Sequence, residues 1–73
     1  MTNSEKAVQA VREIATIIEE TAREAAPLGA PSGVVYAALM GVGVSLDTFQ
    51  AILSAMESAG RVTVRGDLIK AVA

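Results

Sequence analysis

The stretch SLDTFQAILSAMESAGRVTVRGDLIKAV, Ser45 to Val72, changes its hydrophobic period once, at Gly60. Ahead of that glycine, Leu46, Phe49, Ile52, Leu53 and Met56 recur at the spacing that lines up one side of a helix. Ser45 is placed to cap its start, Asp47 adds a negative charge where the helix dipole favours one, and Gly60 supplies the stop. Beyond Gly60 the residues alternate, with Val62 and Val64 facing one way and Arg61, Thr63 and Arg65 the other. Gly66 and Asp67 suit a two-residue hairpin turn with glycine first, and the return strand would set Ile69 against Val64 and Ala71 against Val62. The spacing therefore predicts a helix over 45–59 and a hairpin over 61–72.

Working back from there, Gly41 and Gly43 provide the free backbone angles of a tight turn. Ser32 reads as the cap of a short helix reaching Gly41, with Val35, Tyr36 and Leu39 turned inward. Pro27 to Pro31 reads as a connection. The segment 4–26 is a long amphipathic helix that places Val8, Val11, Ile14, Ala15, Ile18, Ala22 and Ala25 on one side, with Glu, Gln and Arg on the other. Thr2 followed by Glu5 fits a capping box, Ser4 is the alternative cap, and Pro27 with Gly29 closes the far end. Ala10 and Ile17 widen the apolar arc to nearly half the circumference. There are no internal repeats, and residues 1–73 form a single domain.

Composition removes whole classes of chemistry. The chain of 73 residues has no Cys, His or Trp, so it offers no imidazole base, no thiol nucleophile, no usual zinc ligand set and no disulfide. A domain of this length buries only about 60% of the surface its unfolded chain exposes, which makes a partner chain a natural source of further stability. The net charge of −2 is unevenly spread, because the last stretch holds Arg61, Arg65 and Lys70 against Asp67 alone. No charge occurs between Ala25 and Leu46, long enough for a membrane span, yet that stretch contains two prolines and four glycines, which break a helix more readily than they insert one. The N-terminus has no basic region leading into an apolar run, so a cytoplasmic protein is expected.

The element order of helix, short helix, glycine turn, helix and hairpin resembles the winged helix-turn-helix family. The resemblance is carried by Pro31 to Val72: Pro-Ser-Gly-Val-Val-Tyr-Ala-Ala-Leu-Met, then Gly-Val-Gly-Val-Ser, then Leu46, Phe49, Ile52, Leu53, Met56, Gly60 and Val62. It implies a mainly α domain with a small β-hairpin, in which three helices precede a two-stranded wing. It also implies a binding module, most often for DNA, with the second motif helix in the major groove and the wing on the backbone or minor groove.

The residues depart from that expectation on the second motif helix. Its solvent side offers Asp47, Thr48, Gln50, Ala51, Ser54, Glu57 and Ser58, without one Lys, Arg or Asn. Since DNA affinity is largely neutralisation of phosphates by cations, Thr48, Gln50 and Ser54 remain as polar candidates only, Gln50 for adenine and the hydroxyls for phosphate. Arg61, Arg65 and Lys70 make the stronger nucleic-acid candidate, as a basic wing. Cations that keep an edge strand from pairing would look the same. Arg65-Gly66-Asp67 spells an integrin-binding tripeptide and reads here as the hairpin turn.

Nothing points to catalysis, a cofactor, a metal or a small-molecule substrate. Glu13, Glu19 and Glu20 lie on a polar helix face, where carboxylates are solvated. Gly41-Val42-Gly43 follows a helix and lacks the further residues of a phosphate-binding loop. The width of the apolar arc on the first helix suggests a homodimer with Ile14, Ile17 and Ile18 at its interface. Two function classes follow: a DNA-associated regulator acting as a homodimer through its wing, or a protein-interaction module that binds no nucleic acid.

Overall fold

The computed structural model describes residues 2–72. Three helices, α1 (Asn3–Glu24), α2 (Ser32–Met40) and α3 (Leu46–Ser58), pack with three short strands, β1 (Ala30–Pro31), β2 (Val62–Arg65) and β3 (Leu68–Ala71). The domain is mainly α with a small β-hairpin, as the change of period at Gly60 predicts.

The caps explain most element ends. Thr2 Oγ1 accepts from the Glu5 N–H at 3.1 Å and so starts α1, while Ser45 Oγ accepts from the Thr48 N–H at 3.2 Å and starts α3. At the end of α3, Gly60 sits at φ +76°. There the Arg61 N–H reaches back to the Met56 carbonyl at 2.9 Å and the Gly60 N–H to that of Glu57 at 3.0 Å. This paired closure satisfies two orphan carbonyls and turns the chain into β2. The same device ends α2, with Gly43 at φ +94° and the Val44 N–H on the Leu39 carbonyl at 3.1 Å. Val44 and Leu39 are both buried, supplying the apolar contact that accompanies this motif.

The hairpin has the expected register, Val64 opposite Ile69 and Val62 opposite Ala71. Gly66 takes a positive φ and Asp67 does not, as a turn with glycine first requires.

Four local expectations need correction. The connection 27–31 contains a strand: β1 pairs antiparallel with β3, Ala30 opposite Ile69 and Pro31 opposite Leu68, so the sheet has the order β1-β3-β2. Two residues hold no period, which is why they read as loop; Pro31 is tolerated because β1 is an edge. Ser32 is the first residue of α2 and makes no side-chain cap, since Pro31 occupies the cap position. Its N–H donates instead to the Asp67 carbonyl at 2.6 Å, tying α2 to the hairpin turn. Helix α1 ends at Glu24, two residues short of Ala26. Finally, Leu46 faces solvent, because at the first helical position it precedes the part of α3 that touches the core.

The core is one cluster that includes Ile18 and Ala22 from α1, Leu39 from α2, Phe49 and Ile52 from α3, and Val62 and Ile69 from the hairpin. Phe49 and Tyr36 pack with ring centroids 5.5 Å apart and planes tilted by 42°, a favourable arrangement of ring edges and faces. None of the residues from Asn3 to Glu13 is buried, so the first half of α1 projects beyond the core. The accessible surface is 4787 Å², roughly 500 Å² above the ~4,250 Å² typical of a compact monomer of this mass.

Candidate functional site

Strand alternation and register decide what the hairpin presents. With Val62 and Ile69 in the core, the opposite face of the sheet carries Thr63, Arg65 and Lys70, all exposed. Thr63 lies directly opposite Lys70, and Arg65 is two pairs further along beside the turn, on the same face, which makes Arg65 and Lys70 diagonal neighbours. Neither has an ion-pair partner among the described residues. Lys70 can lie flat because Gly29, at φ +99°, has no side chain: a Cβ there would come within 2.9 Å of Lys70 Cγ and 3.1 Å of the Ile69 carbonyl oxygen.

Arg61 does not join that pair as a free cation. Its Nε donates to Glu19 Oε2 at 2.8 Å, and Arg23 on the following turn of α1 holds the other oxygen of Glu19 at 3.0 Å. The carboxylate therefore fastens the start of the hairpin to α1. Arg61 and then Arg23, by hydrogen bonding to it, hold the Glu19 carboxyl below its ordinary value of 4.5. A lowered folded-state pKa means that the contribution to stability is complete above about pH 4.5 and is lost as pH falls through the lower folded value. Glu19→Gln is thus expected to lower the urea midpoint at neutral pH and to converge with the unmodified chain in strong acid. Parallel curves at every pH would show that the bridge adds nothing.

The exposed side of α3 is likewise committed in part to the fold. Glu57 Oε2 accepts from the Val64 N–H at 3.1 Å, covering the outer edge of β2. Thr48 Oγ1 accepts from Ser45 Oγ at 2.9 Å within the helix cap. Gln50 and Ser54 are exposed, and no cation stands beside them on α3. The candidate nucleic-acid residues thus separate into two places: Arg65 and Lys70 on the hairpin face, and Thr48, Gln50 and Ser54 on a helix without positive charge.

The three isoleucines of α1 also separate. Ile18 has no exposed surface and belongs to the core, Ile14 is half-buried against it, and Ile17 is 45% exposed on another side of the helix. The sequence places all three on one broad arc, and packing divides them. The structural roles of Glu19 and Glu57 had no signal in the sequence, since each joins elements that only the fold brings together.

A second surface is apolar. Val34, Ala37, Ala38 and Gly41 share the outer side of α2, continued by Val42, and all are exposed. Among the described residues no polar or charged residue is buried, and no group of three or more acidic side chains is placed to hold a metal ion. No helix among them is long and apolar enough to cross a membrane. Neither a protein-family model, nor a curated protein, nor a solved structure matches the chain.

Proposed function

We propose that this chain is a small, non-enzymatic, cytoplasmic module of winged-helix type whose binding is to protein. The observation that carries the reading is α2, which is apolar on its inner and outer sides alike yet leaves Val34 65%, Met40 55% and the adjoining Val42 76% exposed. A helix apolar all round belongs in an interior, and an uncharged apolar patch on a domain this small is a contact surface. The absence of any cation on the exposed side of α3 speaks the same way, because that is the face a DNA-reading member of this family would set against phosphates.

Arg65 and Lys70 favour a second reading, in which the wing touches DNA. Fluorescence titration with random-sequence duplex at low salt separates the two. The protein reading expects no saturation at micromolar protein. Binding that saturates there, with a log–log salt slope of about 2 for two neutralised phosphates and abolished by Arg65→Glu, would replace it with the DNA reading.

A further inference from the structure

Ser4, Val8, Val11, Ala15, Ile18 and Ala22 follow one another at alternating steps of four and three residues, the repeat of a helix seam that packs on another helix. The structure fills half of that seam. Ala15, Ile18 and Ala22 are 4%, 0% and 0% exposed, whereas Val8 and Val11 are 50% and 44% exposed. Alongside the open half runs a groove of about 330 Å³ between α1 and α3, whose walls include Val11, Ala15, Ala51, Ala55 and Ala59. Ala51 and Ala55 on α3 and Ala59 at its C-terminal cap lie at steps of four and are all exposed, so another helix can approach that backbone closely.

We infer that the occupant of this groove is the first half of α1 from a second copy of the chain, lying antiparallel and related by a two-fold axis. The inference rests on the protein-binding reading above and names the partner for a different surface. The flanking charges argue for this occupant. Glu5 and Arg12 hold the same position in successive repeats beside the seam, and neither has an ion-pair partner among the described residues. When Val8 of each copy faces Val11 of the other, Glu5 of each falls beside Arg12 of the other, making two equivalent pairs of opposite sign. A parallel pairing would instead set Arg12 of each copy beside Ala7 of the other and leave Glu5 with no charged neighbour across the seam, so neither pair would form. In the antiparallel pair Ser4 meets Ala15, and each projecting helix end enters the groove of the other copy. Such an arrangement covers part of the surplus surface of the isolated chain. Ile17 stays outside it.

Sedimentation velocity at 10 to 500 µM tests the arrangement. The expected result is a species of twice 7.5 kDa. Val11→Glu should raise the dissociation constant by about a hundredfold or more, as a charge forced into an apolar contact does. Circular dichroism should still show a folded domain, since Val11 lies outside the core. Glu5→Arg and Arg12→Glu should each raise the constant by about tenfold, and the double exchange should restore it to within about threefold, because it recreates both pairs with signs reversed. Ile17→Glu should change nothing. A monomer throughout the range, a dimer indifferent to Val11→Glu, or failure of the double exchange to recover would overturn the inference. A monomer leaves the DNA titration unaffected, and tight DNA binding leaves the sedimentation result unaffected, so the two proposals fail separately.

Discussion

Phe49→Ala is expected to remove a large share of the stability of the folded chain. Phe49 is 3% exposed and stands where α3 meets the Tyr36 ring of α2, with Ile52 and Met56 on the following turns. Removing a buried phenylalanine costs about 3–5 kcal/mol, the transfer of the ring plus the cavity it leaves. A domain of this length holds roughly 4–11 kcal/mol in total, and this one has only two aromatic residues with which to fill its interior. The cavity cannot be refilled by a neighbour, because the other buried residues are mostly alanine, valine and isoleucine whose rotamers are already set by the strands and helices that carry them. Urea unfolding followed by circular dichroism measures the loss. A midpoint within a few tenths molar of the unmodified chain would place Phe49 outside the core.

The second large effect is a contrast between neighbours. Ile18→Ala should cost about 2–5 kcal/mol, while Ile17→Ala should stay within about 0.5 kcal/mol, the range of ordinary surface changes. Ile18 is completely enclosed by the core, so the lost methyl and methylene groups leave a void. Ile17, one residue earlier, is turned through about 100° and packs against little. Thermal melts of the two variants decide the matter. Equal losses would mean that Ile17 is covered as well, by an interface that includes it.

That contrast also shows where reading the sequence stops. The width of the apolar arc on α1 is visible in the residues, and with it the expectation that one small core cannot cover it all. Which residues remain uncovered depends on how far along α1 the hairpin and α3 reach. The core ends at Ala15 and leaves Val8 and Val11 open. Val11 shares the core-facing direction of Ile18 and Ala22, so nothing local distinguishes it. Arg61 gives a similar lesson, since alternation along β2 groups it with Arg65, and only the crossing of α1 brings Glu19, 42 residues away, within 2.8 Å of its guanidinium.

Local physics determined the elements that are long enough to hold a period or short enough to be governed by a single turn. The three helices, the serine cap of α3, the glycine stop at residue 60 and the hairpin register follow from side-chain spacing and backbone freedom, which act over a few residues and are written in the chain. Tertiary structure alone decided the pairing of β1 with β3, the bridge from Arg61 to Glu19, the cover that Glu57 gives to β2, and the open half of the α1 seam. Each of these depends on how one element is set against another, and that placement is fixed by how the whole core packs.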